Sequence, residues 1–162
     1  MPKEFPLAAL QSQAIAARTY ALKLLGKNKL FDIHSTQASQ VYLGLEAETA
    51  QINRAVKSTS SLALFYKNKL IEAVFHSSSG GFTEASGVVW KKQEPYLLGV
   101  VDYDQNSPVR EWRISFDPDQ LRLAFKETKG VTSIKVISKT KTGRIQTAKI
   151  TGPAGEFLVS GR

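Results

Sequence analysis

The sequence predicts an α+β fold, with a buried N-terminal helix packed with a mixed or antiparallel sheet and a strand-rich C-terminal part. Three observations predict it. Leu7, Leu10, Ala14, Ala17, Ala21 and Leu24 fall on one stripe at helical spacing. Residues 131–138 and 145–151 are β-branched-rich runs about a Lys141-Thr142-Gly143 turn. Helical patterns come early and strand patterns late, without the alternation that builds βαβ units.

Pro6 suits the start of the first helix, and Gly26 with Lys27-Asn28-Lys29 suits its end. Ile15, Leu22 and Leu25 populate a second side, so protein is expected to wrap most faces of this helix. Residues 31–44 read as an irregular connection closing on Val41 and Tyr42. A second helix is expected over about 47–58, with Ile52, Ala55 and Val56 inward. Strands are expected over 62–66 and 69–75, joined by Lys67-Asn68, and the second leads into His76 and a loop of serines and glycines.

Residues 87–90 and 96–101 add apolar segments, 104–108 are turn-rich, and 112–116 read as a short strand. Asp117 then caps a helix that has Pro118 at its first position and Gln120 completing a capping box. The organisation expected is a core over 1–116 and a helix plus β-hairpin extension over 117–162, belonging to the same domain.

The 162 residues fit one domain, and the 42% hydrophobic content allows a real core. No run of about 18 apolar residues exists, and the first residues lack the charged start and apolar stretch of a signal peptide. The absence of cysteine excludes disulfides, thiol catalysis and Cys-bearing zinc sites. A net charge of +8 favours polyanionic partners. The basic residues are scattered and are not interleaved with aromatics as a stacking platform would be, so nucleic acid is not expected.

Several residues invite chemical readings. His76 beside Ser77, Ser78 and Ser79 suggests a serine hydrolase, but neighbours on an extended strand face opposite ways and no nucleophile elbow is present. A loop that binds substrate through hydroxyls and backbone amides is better supported. Ser79-Gly80-Gly81 lacks the lysine and spacing of a phosphate loop, so its glycines serve unusual torsions or close approach of a ligand. Cleavage of a glycosidic bond would require an acid, and Glu4, Glu46, Glu48, Glu72 and Glu84 all fall in the first part of the chain. Each has a plainer reading as a surface or structural group. Arg18, on a helix expected to be buried, needs a carboxylate or several carbonyls, either as an organiser of the fold or against substrate.

The segment Gln13-Ala14-Ile15-Ala16-Ala17-Arg18-Thr19-Tyr20-Ala21-Leu22 resembles the signature of the stage II sporulation protein D (SpoIID/LytB-like) family. Met1-Pro2, Phe5-Pro6, Ala9-Leu10, the stretch 39–44, Ala55-Val56, the stretch 78–84, Val89-Trp90 and Pro95-Tyr96-Leu97 followed by Val100 and Asp102 also match, in order. The resemblance covers about residues 1–116 well and the remainder loosely.

It implies a peptidoglycan lytic transglycosylase acting in the cell envelope, outside the cytoplasm, on glycan strands stripped of stem peptides. Its expected partner is a cell-wall amidase, with a membrane anchor only outside this sequence. The other role that the resemblance implies is a non-catalytic peptidoglycan-binding module or amidase enhancer. Gln13, Arg18, Gln40, Tyr42, Ser77, Ser79, Gly80, Gly81 and Glu84 would line or support the substrate cleft. Gln40 and Tyr42 would meet the sugar, with the first helix as floor and the Ser-Gly loop as rim.

The chain departs from the family pattern in three ways. The family's acid stands directly before the Met-Pro pair, so the resemblance implies that it precedes Met1; Glu4 is nearby but out of register. The metal-holding loop of some members corresponds to 31–44, where only His34 remains, so no zinc and no cofactor are expected. Relatives continue into another helix after the last residues here, so the chain is expected to be truncated at its C-terminus.

Overall fold

The computed structural model describes residues 4–27 and 29–161, so the Met1-Pro2 match and the Asn28 of the helix-end signal lie outside the described residues. The chain divides into two compact units, Met1–Ser77 and Ser78–Arg162.

The first unit is built on α1 (Leu7–Leu24). The carbonyl of Pro6 accepts from Ala9 N at 2.9 Å and from Leu10 N at 3.1 Å, which starts the helix where the fixed proline φ favours it. The helix stops at Leu25, and Gly26 follows at φ +71°, a torsion that glycine adopts without a Cβ penalty. Gly26 N also donates to Asp32 Oδ1 at 2.7 Å, tying down the start of the next connection. Within α1 Leu10 and Thr19 are fully buried, Ala8, Ser12 and Leu22 are exposed and the other residues are half-buried, so cover reaches most faces of the helix but is partial on them.

A 3₁₀ turn, Leu45–Ala47, precedes α2 (Ala50–Ser58). The second helix therefore begins three residues later than the apolar pattern suggests, because Thr49 caps it by accepting from Ile52 N at 3.3 Å. Ala55 is its one fully buried residue; Ile52 is half-buried and Val56 is exposed. Gln51 Nε2 reaches Phe5 O at 3.0 Å and Gln11 Nε2 reaches Ser58 Oγ at 2.8 Å, so α1 and α2 lie side by side and run the same way.

The expected hairpin then forms, but in a shorter version. β1 (Phe65–Tyr66) pairs antiparallel with β2 (Lys69–Leu70). Lys67 and Asn68 at φ +47° and +60° make the two-residue turn whose twist suits a hairpin.

In the second unit, α3 (Ser86–Trp90) turns the expected apolar segment 87–90 into a short helix closed by Lys91 at φ +65°. Residues 112–116 do not form the expected strand. Trp112, Ile114 and Phe116 alternate as a strand would, yet they are 77%, 61% and 62% exposed and no ladder partner is described for them. Periodicity without a partner leaves the segment irregular.

The next helix, α4 (Pro118–Ala124), carries the full capping box. Gln120 N donates to Asp117 Oδ1 at 2.8 Å and Asp117 N donates to Gln120 Oε1 at 3.0 Å. β3 (Ser133–Lys139), β4 (Ile145–Gly152) and β5 (Gly155–Ser160) form an antiparallel sheet in that order. Its core is the middle strand, where Ala148 and Ile150 are buried. β5 is an addition to the expected hairpin, paired with β4 from Thr147–Ser160 to Gly152–Gly155.

Candidate functional site

The second unit assembles one polar network, around residues 78–84. Gly81 O accepts from Asp102 N at 2.9 Å, Thr83 N donates to Val100 O at 2.8 Å, and Ser86 N donates to Leu97 O at 2.9 Å. This antiparallel pairing, centred on the Phe82–Val101 bridge, returns the chain so that Asp102 and Asp104 lie beside the start of the loop.

Asp104 gathers the loop. Its Oδ2 accepts from the Ser78 hydroxyl, from Ser79 N at 2.9 Å and from Gly80 N at 2.8 Å. Ser79 Oγ donates to Asp102 Oδ2 at 2.6 Å. On the other side Arg144 collects carbonyls: one guanidinium nitrogen donates to Ser79 O and, at 2.6 Å, to Phe82 O. Its second nitrogen reaches Thr142 Oγ1 at 2.9 Å and Glu84 Oε1 at 3.3 Å. Glu84, with a side chain 10% exposed, also accepts from Thr140 Oγ1 at 2.7 Å.

Held this way, the loop crosses Gly80 and Gly81 at φ +72° and +107°, and a Cβ built on either meets nothing within 4 Å. Their required torsions explain glycine, and the open space beside them leaves the backbone approachable. Phe82, 49% exposed, stands next to them.

The Ser78 hydroxyl chiefly, then Gly80 N–H, Ser79 N–H and the charge of Arg110, hold the Asp104 carboxyl below its ordinary value of 3.8, against the opposing effect of burial. A lowered folded-state pKa stabilises the loop above the ordinary value, and that contribution is lost as pH falls through the lower one. The Ser79 and Gly80 amide resonances should therefore shift together in an acid titration, with a midpoint below 3.8. A midpoint at or above that value would contradict the assignment.

The candidate residues fall into two groups. In the second unit Ser79, Gly80, Gly81 and Glu84 belong to this one network. The Ser78 and Ser79 hydroxyls are engaged by carboxylates, Gly80 N by Asp104 and Gly81 O by Asp102 N, so what the loop offers a ligand is the Gly80 carbonyl, the Gly81 N–H and Phe82.

In the first unit Arg18 donates to Thr59 O at 2.7 Å, Leu62 O at 2.9 Å and Val56 O at 3.4 Å, which makes carbonyls its partners. Gln40 Nε2 donates to Ala17 O at 2.8 Å and so braces the 31–44 connection against α1. Tyr42 is 70% exposed beside exposed Val41 and Leu43. Gln13 is half-buried, and Ser77 and Glu4 are exposed. His34 is exposed and meets Phe31 edge-on, with ring centroids 4.6 Å apart.

Sequence reasoning missed Asp104, Thr140 and Arg144 as parts of the site. The one local signal was the pair Asp102-x-Asp104 following an apolar segment.

Comparison with known proteins agrees with the motifs. Residues 1–66 match the family model of the stage II sporulation protein, SpoIID. The chain is 37% identical over 121 residues to the amidase enhancer of Bacillus subtilis, covering 75% of this chain and 16% of that protein. It is 31% identical over 172 residues to the stage II sporulation protein D of the same organism, covering 94% of this chain and 50% of that protein. An uncharacterised protein of Brachyspira hyodysenteriae is 33% identical over 157 residues, covering 93% of this chain and 43% of that protein. The chain thus spans half or less of the length of these relatives.

Proposed function

Because the chain belongs to the SpoIID family, we propose that it serves the bacterial cell wall by gripping the glycan strands of peptidoglycan, as part of a lytic transglycosylase. The observation that carries this reading is the clamped 78–84 loop, whose two left-handed glycines face open space beside an exposed phenylalanine. A pyranose presents hydroxyl and N-acetyl groups at its edges and an apolar face of C–H bonds. Bare backbone at a glycine pair and an aromatic ring suit those two surfaces.

Charge supports the same substrate. Removing the stem peptide frees the lactyl carboxylate of each muramic residue, so a stripped strand is a polyanion that suits a chain of net charge +8.

The cleavage proposed is intramolecular in the sugar. A carboxylic acid protonates the glycosidic oxygen as its bond to muramic C1 breaks. The muramic C6 hydroxyl adds to C1, forms the 1,6-anhydro ring, and returns its proton to the carboxylate. The sugar supplies its own nucleophile, so one acid suffices. The family motif gives that role to the position directly before Met1-Pro2.

The amidase enhancer among the relatives favours a second reading, in which the same loop binds glycan and an amidase performs the chemistry. Incubation of the full-length protein with peptide-free glycan strands separates the two. Anhydromuramic ends detected by mass spectrometry support the enzyme, whereas strands bound but left intact support the enhancer. In either case Gly80→Val should weaken strand binding about tenfold without unfolding the protein, because a β-branched residue resists the left-handed torsion while its side chain meets open space. Unchanged binding would remove the loop from the site.

A further inference from the structure

We infer that Arg144, on the β3–β4 hairpin, is a positioning residue of the glycan site, which it serves by fixing the peptide groups on either side of Gly80-Gly81; this rests on the glycan-binding reading above.

Consecutive glycines at φ +72° and +107° have more backbone freedom to lose than any other pair, so a loop containing them is not shaped by its own sequence. Its shape comes from its attachments. The carbonyls of Ser79 and Phe82 flank the glycines, and one nitrogen of Arg144 holds both. Asp104 fixes the N–H groups of Ser79 and Gly80. A cation on the carbonyls and an anion on the amides leave the peptide planes between them one arrangement.

The hairpin is built to deliver the guanidinium. Thr140 N donates to Arg144 O at 2.8 Å, Gly143 takes φ +90°, and Arg144 N donates to Thr140 Oγ1 at 3.2 Å. The Thr140 hydroxyl also meets Glu84, and Glu84 meets Arg144, so turn and loop share one carboxylate. The planar fork of arginine can serve two carbonyls, a hydroxyl and a carboxylate at once, whereas the single ammonium of lysine cannot. A loop ordered before the ligand arrives avoids the entropy of ordering it afterwards, and that saving appears as affinity.

The test uses the full-length protein with Arg144→Ala, Arg144→Lys and Lys141→Ala. Lys141 is exposed on the same hairpin and makes no side-chain bond among the described residues, so its removal takes away charge but leaves the clamp. Affinity for peptide-free glycan strands is measured by calorimetry, and amide hydrogen exchange is followed at residues 79–82 and in β3–β5. Both Arg144 variants should lose about tenfold in affinity and exchange faster at 79–82, with the sheet still protected and Lys141→Ala unchanged. Should the alanine variant lose protection in the sheet, the lysine variant carries the comparison.

Full affinity in Arg144→Lys, or a loosened loop with affinity intact, would overturn the positioning role alone. Failure of the unaltered protein to bind strands would overturn the glycan reading, and this inference with it.

Discussion

Replacing Gly152 by alanine should destabilise the protein by about 3 kcal/mol or more, a large effect for a single methyl group. Gly152 ends β4, where residues 128–130 fold across it. A Cβ there would lie 2.5 Å from Thr128 O, 2.8 Å from Thr128 Cβ and closer still to Gly130 O. Two of these atoms are backbone, and both belong to a turn that is itself fixed. Thr128, 1% exposed, donates its hydroxyl to Gly130 O at 2.7 Å, and Thr128 O accepts from Ala154 N at 3.1 Å. The methyl can be admitted only by moving that turn away from the end of the sheet, at the cost of these bonds and of the Gly152–Gly155 pairing. Urea denaturation with exchange mapping checks it. A stability within about 0.5 kcal/mol of the parent would show that the turn yields freely.

The second large effect is expected at Arg18. Arg18→Met keeps the length and apolar stem but removes the charge, and should cost about 2–4 kcal/mol. The guanidinium sits at the C-terminal end of α2, donating to Val56 O, Thr59 O and, beyond the helix, Leu62 O. Helix carbonyls there lack intrahelical donors and carry the negative end of the dipole, so a cation both satisfies and complements them. With each kcal/mol worth roughly 2–4 °C in a chain of this size, thermal unfolding resolves the change easily. Glycan binding by the folded fraction should be unaffected. A variant of normal stability that has lost binding would return Arg18 to the substrate.

What could be read in advance follows from how far apart the interacting residues lie. The capping box of α4 involves positions 117 and 120, and the β1–β2 turn involves 67 and 68, so both were visible in the sequence. β5 was not, because Pro153-Ala154-Gly155 resembles a chain leaving a sheet rather than re-entering it. The segment 112–116 shows the reverse failure, an alternating pattern with no strand to pair it among the described residues. At the candidate site the glycines announced themselves by type. Arg144 did not, since its partners in the loop lie 60 to 65 residues away and nothing local distinguishes it from the other scattered cations. Arg18 lay between these cases: its need for partners followed from its setting, but the choice between carboxylate and carbonyls did not.

The wide spacing of the attachments around Gly80-Gly81 bears on any attempt to transplant this loop. The heptapeptide from Ser78 to Glu84, grafted alone onto a foreign scaffold, would arrive without Asp102, Asp104, Thr140 or Arg144 and would relax into many conformers. The smallest portable unit is the contiguous stretch from 78 to 144, together with the strands that hold its hairpin in register.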